Sequence, residues 1–199
     1  MHEFTTTKRA STRWEDYSQS FASLLSSLVV TDRQGNEMRR DAGFRIWTDW
    51  TLRAKLERGC VYFIGNGASA AMACHTSTDV AKSARVRTQV FTDAALMTAV
   101  ANDVAYEEVF AEPLSWSMNS GDVLVAISSS GNSANVTRAV ERARELNGHC
   151  VTLSAMSPIN SLRNLGDVNF YLPAMTYGLA ETSHAAILHH FVDRLSPPA

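Results

Sequence analysis

Six consecutive residues, Ser128-Ser129-Ser130-Gly131-Asn132-Ser133, carry four hydroxyls and follow directly on the apolar run Asp122–Ile127. A helical pattern opens at about Ala134. The serines therefore fall where a helix start presents unpaired backbone N–H groups and the positive end of its dipole. Hydroxyls and amides gathered at such a point suit a doubly charged anion. Gly131 permits a tight turn, and the run lacks the lysine with which a nucleotide-binding P-loop reaches the outer phosphates. The chemistry indicated is a grip on a phosphate monoester. An ordinary helix cap would need only one serine.

A second loop, Gly65-Asn66-Gly67-Ala68-Ser69, follows another apolar run and also opens a helix, so its backbone can approach a ligand closely and Ser69 can cap or bind. It is not a dinucleotide fingerprint, because Ala70 stands where the third glycine of G-x-G-x-x-G belongs. The helix that follows carries His75 and Asp79 four residues apart, on one face. Near the end of the chain Glu181 begins a helical pattern that also holds His184, His189 and His190. Imidazoles and carboxylates converging from two helices could bind a divalent metal such as zinc, or act as an acid/base pair on a sugar carbonyl. Spacing leaves both open, and lone histidines on apolar helices are more often packing residues.

The elements that must position these groups can be read from the rhythm of apolar residues. Trp14, Tyr17, Phe21, Leu24, Leu25 and Leu28 recur at helical spacing, which predicts an amphipathic helix from Trp14 to Val30. Asp32–Asn36 reads as a turn, and Phe44–Leu56 as a second helix closed by Gly59. Five short apolar runs then predict buried strands: Cys60–Ile64, Thr88–Phe91, Asp122–Ile127, Cys150–Leu153 and Val168–Leu172. Helical patterns separate them near Ala68–Lys82, Ala94–Ala101, Ala134–Leu146 and Ser161–Leu165, with Glu181–Leu195 last. Strand and helix in alternation, with both strand faces apolar, predict an α/β fold with a parallel sheet covered on both sides. Ligands of such sheets bind beyond the carboxyl ends of the strands, where both loops lie.

At 199 residues, with 45% hydrophobic and 19% charged residues, the chain has the composition of one compact globular domain. A net charge of −2 with interleaved signs offers no broad footprint for nucleic acid or a membrane surface, so any phosphate site must be local. No apolar run is long enough to span a bilayer and the start of the chain is not signal-like, so the expectation is cytoplasmic. Cys60, Cys74 and Cys150 are odd in number and set among apolar residues, which predicts reduced core thiols.

Gly65-Asn66-Gly67-Ala68-Ser69, Asp93, Ala101-Asn102-Asp103 and Ile127–Val136 together resemble the sugar isomerase (SIS) domain family, and within it the D-sedoheptulose 7-phosphate isomerases. The resemblance runs from about Val61 to about Val192. It implies a flavodoxin-like three-layer sandwich with a five-stranded parallel sheet, preceded by two N-terminal helices. Residues 1–58 would form a helical oligomerisation segment and 59–199 the SIS domain. It also implies a homotetramer with active sites between subunits. The phosphosugar would be bound by Asn66, Gly67, Ser69, Asp93, Ser128, Ser129, Ser130, Ser133 and Glu181. His75, Asp79, Glu181 and His189 fall on the family's zinc-binding positions, and Asp79 and His189 on its acid/base pair.

Two positions depart from the family pattern. Asp79 replaces the usual glutamate and is one methylene shorter, and Glu181 replaces the usual glutamine, adding negative charge that strengthens metal binding. The reaction implied is aldose–ketose interconversion of a sugar phosphate. The alternative is a non-catalytic SIS protein that binds a phosphosugar or a protein such as the replication initiator. The filled acid/base positions favour the enzyme. No basic recognition helix precedes the sheet, so nucleic acid is not expected as a partner.

Overall fold

The computed structural model describes residues 13–195. Its centre is a seven-stranded sheet. Five strands are parallel: β3 (Cys60–Gly65), β4 (Arg87–Val90), β5 (Val123–Ser128), β6 (His149–Ala155) and β7 (Val168–Leu172). All five lie where the apolar runs predict them. The central strands are buried on both faces, as their unbroken Val/Ile/Leu/Phe content requires.

Two strands were not anticipated. The first helix, α1, spans Trp14–Ser26 and stops short of Val30; Val29–Asp32 forms β1, which turns into β2 (Glu37–Met38). β1 runs antiparallel to β7 and extends the sheet at that edge. The cause is local: Val29, Val30 and Thr31 are β-branched and stiff in a helix, and they pack well on a pleated surface. The predicted turn is present between them. Asp32 closes it, accepting from the Asn36 backbone N–H and side-chain amide, each at 2.8 Å.

The remaining helices are α2 (Arg40–Leu56), α3 (Ala68–Ala84), α4 (Ala94–Asp103), α5 (Ala111–Ser117), α6 (Ala134–Glu145) and α7 (Tyr177–Leu195). α5 and the short 3-10 turn Tyr106–Glu108 were missed, being too brief to show a period. Ser161–Asn164 is a 3-10 turn, and α7 begins one turn before Glu181. Alternate side chains of the strands feed two separate cores. Phe63, Val125, Leu153 and Phe170 pack with α1, α2, α3 and α7, whereas Tyr62, Leu124 and Ala126 pack with α4, α5 and α6. This is the expected three-layer arrangement, with two more strands than expected.

Gly59 closes α2 for a different reason than the one anticipated. The left-handed residue after the helix is Arg58, at φ 56°. Gly59 is needed for space: a Cβ there would collide with the Asp122 carboxylate, which accepts from the backbone N–H groups of Cys60 and Asn119. Cys60 and Cys150 are buried, and burial pushes the Cys60 thiol up to about 11. Cys74 departs from the expectation of a core thiol, since it is partly exposed with Sγ 3.4 Å from the Thr92 hydroxyl.

The strand order is β2-β1-β7-β6-β5-β3-β4, so the chain reverses direction across the sheet between β3 and β5. A crevice opens beyond the carboxyl ends of strands at such a reversal. α7, which flanks that crevice, is anchored by Trp47 of α2. This fully buried indole stacks on Phe191 with ring centroids 3.7 Å apart and also meets Phe170 at 5.6 Å. We expect Trp47→Ala to cost about 3–5 kcal/mol of unfolding free energy, measured by denaturant titration.

Candidate functional site

The register of β3 on β5 places Gly65 opposite Ile127, so the two motif loops leave the sheet side by side. The first feeds the start of α3 and the second the start of α6. Two helix N-termini, each with unpaired N–H groups, therefore point at one place. Between them lies a cavity of about 300 Å³ lined by Asn66, Gly67, Ala68, Ser69, Ile127, Ser128, Ser129, Ser130 and Ser133, and closed on the third side by Tyr177 and Glu181 of α7. A larger and more open groove of about 780 Å³ lies at the opposite, amino end of β6, around Trp50, Arg144 and His149. It coincides with none of the motifs.

The serine loop is shaped from within. Gly131 adopts φ 66°, and its O accepts from Leu162 N at 2.9 Å. A Cβ at Gly131 would run into the Asn160 side chain, which is itself tied to Ser154, Ala155 and Ser157. The loop is thus pressed onto the segment after β6. Ser128 Oγ lies 3.2 Å from Ser133 Oγ and accepts from Gly131 N at 3.2 Å. Ser133 occupies the N-cap position of α6 without a side-chain cap bond, so ordinary capping does not account for it. Ser129 is 6% exposed and belongs to the cavity lining, while its own hydroxyl is buried and has no protein partner among the described residues. A buried hydroxyl left without a partner is costly unless something else supplies one.

Every expected ligand residue except Asp93 lines this cavity. Asp93 stands at the N-cap of α4, where its carboxylate accepts from Leu96 N at 3.0 Å. Tyr177 and Asn135 were not singled out from the sequence. Asn135 is buried behind the cavity wall and exchanges two hydrogen bonds of 2.9 Å with Asn66. The only sequence signal for Asn135 was its place inside the serine motif. Tyr177 gave none, because the helix start had been set at Glu181.

The histidines separate into distinct roles. His75 Nε2 lies 3.2 Å from Asp79 Oδ2, and the His75 and His189 ring centroids are 5.3 Å apart. One ligand atom from each of His75, Asp79 and His189 falls within 4.8 Å of the other two. Two imidazoles and a carboxylate are a common donor set for zinc and related divalent metals, leaving an open position. Glu181, expected as the fourth ligand, is outside this cluster. It lies eight residues before His189, about 12 Å along the helix axis, and faces the cavity instead. His190 packs edge-on against Phe44 at 4.7 Å.

His184 is fully buried against the Ser154 main chain without a well-formed hydrogen bond at either ring nitrogen. Desolvation holds it neutral, pushing its pKa down to about 4.

A family model described as the SIS domain matches residues 17–155. The phosphoheptose isomerase of Mycobacterium tuberculosis is 32% identical over 167 residues, covering 81% of this chain and 82% of that protein. That of Coxiella burnetii is 34% identical over 137 residues, covering 65% and 69%. Among solved structures, phosphoheptose isomerase GmhA from Neisseria gonorrhoeae superposes with a TM-score of 0.76 at 26% identity, covering 92% of this chain and 98% of that one.

His184 generates a test of its own. Its folded pKa of about 4 lies below the ordinary 6.5, so between these values the unfolded chain binds the extra proton. Its neutral burial thus costs nothing above pH 6.5, and stability falls as the pH drops toward 4. The His184 contribution to this loss is at most about 1.4 kcal/mol per pH unit. Comparing His184→Leu with the wild type by denaturant titration across this range should show a shallower loss in the variant.

Proposed function

The chain belongs to the SIS domain family, among the phosphoheptose isomerases, and on that premise we propose that it interconverts sedoheptulose 7-phosphate and the corresponding aldose, glycero-manno-heptose 7-phosphate. The single observation that carries this is the cavity between two helix N-termini, lined by four serines of one loop and by Ser69. The phosphate sits against Ser128, Ser129, Ser130 and Ser133, with Ser69 and the Asn66–Gly67 backbone on the other side. Holding the phosphate supplies binding energy remote from the reacting carbons and fixes them in place.

The reaction moves two hydrogens between adjacent carbons. A carboxylate removes the proton from C1 of the ketose while the carbonyl oxygen at C2 gains one, giving an enediol. The O1 proton then leaves, and C2 is protonated to give the aldose. We assign the carbon-bound proton to Asp79 and the oxygen-bound protons to His189, whose side chains the fold brings together. The donor set of His75, Asp79 and His189 fits a divalent cation such as zinc. When bound, it would polarise the carbonyl oxygen and stabilise negative charge there.

The separation of Glu181 from the histidine cluster along α7 is the reason to read the working enzyme as a homotetramer with sites between subunits. A second copy can bring its own residues to the cavity. Trp14, 73% exposed at the start of α1, and the mostly exposed remainder of that helix support an N-terminal oligomerisation surface. Three free thiols fit a reducing cytoplasm.

Following aldose formation from sedoheptulose 7-phosphate by NMR tests the reading directly, and an inactive, metal-free protein would favour a non-catalytic binding role. Ser130→Ala should raise KM with little change in kcat. His189→Ala should lower kcat by at least about a hundredfold, the usual scale of a lost acid/base group. If the cluster holds a catalytic cation, chelation should remove activity and zinc restore it, whereas activity unchanged by chelation would exclude that role.

A further inference from the structure

Asn66 is half-buried on the cavity wall, in the loop after β3, and Asn135 is buried in the first turn of α6. Asn66 Nδ2 donates to Asn135 Oδ1 at 2.9 Å, and Asn135 Nδ2 donates to Asn66 Oδ1 at 2.9 Å. A carboxamide offers two donors and a carbonyl oxygen with two lone pairs. The reciprocal pair uses one donor and one lone pair of each residue. Turning either amide over would set nitrogen against nitrogen and oxygen against oxygen, losing both bonds. The second lone pair of Asn66 Oδ1 faces the Tyr106 hydroxyl, 3.5 Å away. What Asn66 retains for the cavity is a single N–H.

We propose that Asn135 is a positioning residue that never touches the ligand. It ties the loop after β3 to the serine loop and forces Asn66 to present a donor, rather than its carbonyl, to the bound sugar phosphate. This rests on the reading of the cavity as the phosphosugar site and deepens it. The two residues are 69 apart in sequence, and their reciprocal bonds tie the side chains of the two loops that the β3–β5 register has already brought side by side. Among the described residues the cavity lining includes no lysine or arginine, so an anion there depends on neutral donors whose direction decides whether they attract or repel. An Asn66 turned the wrong way would aim a carbonyl oxygen at the ligand's oxygens.

A double-mutant cycle distinguishes this from a merely structural role. We expect Asn135→Ala to raise KM for sedoheptulose 7-phosphate about tenfold, the scale of two lost hydrogen bonds, with kcat changed by less than about threefold. In an Asn66→Ala background the same substitution should add less than about twofold, because the group it acts through has gone. Asn135→Asp keeps the volume but loses the donor, and it should raise KM at least as much as alanine does. Equal effects of Asn135→Ala in both backgrounds, or a normal KM in Asn135→Asp, would overturn the proposal. If Asn135→Ala does not fold, Asn66→Asp breaks the same pair from the less buried side and should raise KM similarly. Should the wild type show no turnover, the activity reading fails on its own. The cycle is then read from hydrogen exchange of residues 67–69 in the ligand-free chain. Faster exchange in Asn135→Ala that Asn66→Ala does not add to supports the tie, and additive changes refute it.

Discussion

The site depends on a single constraint of sheet topology: β3 and β5 are parallel neighbours, and the chain leaves them in opposite directions across the sheet. Their carboxyl ends are therefore adjacent, and each ends in a loop that starts a helix. One helix start offers a few N–H groups and a partial positive charge, whereas two aimed at the same spot make a pocket for an anion. The glycines, the serines and the Asn66–Asn135 pair refine this arrangement without creating it. Were β4 inserted between β3 and β5, the same residues would form two unremarkable helix caps.

The electrostatics follow the same economy. The net charge is −2, and among the described residues the only ionisable side chains on the cavity wall are Glu181 and Tyr177. On the proposed reading the anion is held by backbone amides and hydroxyls that the fold fixes in advance, their desolvation already met on folding. Such a site recognises the shape and hydrogen-bonding pattern of a phosphate monoester more than its charge alone.

α7 joins the fold to the chemistry. Its buried face, through Phe191 stacked on Trp47, fixes the helix on the sheet. Its other faces carry Tyr177 and Glu181 to the cavity and His189 to the pair on α3. Because one rigid helix bears all three, the distance between cavity and cluster is a property of helix rise. A slip of one residue would turn Glu181 about 100° away from the serine loop.

Contiguous features were legible in the chain alone. The five parallel strands announced themselves because strands buried on both faces must be apolar throughout, and the two motif loops because each is an unbroken run at a strand's end. The pairing of His75 with Asp79 followed from helical spacing. Features created by residues distant in sequence were not legible. β1 was absorbed into a helical pattern because Val29 and Val30 continue the apolar rhythm of α1, and only pairing with β7 makes them a strand. Asp93, expected to touch the sugar, caps α4 and is not among the residues lining the cavity, a placement that only the packing of α4 decides. Glu181 parted from the other expected metal ligands because α7 runs past the cavity before it reaches α3. The Asn66–Asn135 pair joins two loops 69 residues apart. Local patterns thus set the chemical types and the elements that carry them, because propensity and burial act along the chain. Which of those groups meet was settled by packing, because contacts between distant segments exist only once the sheet has ordered them.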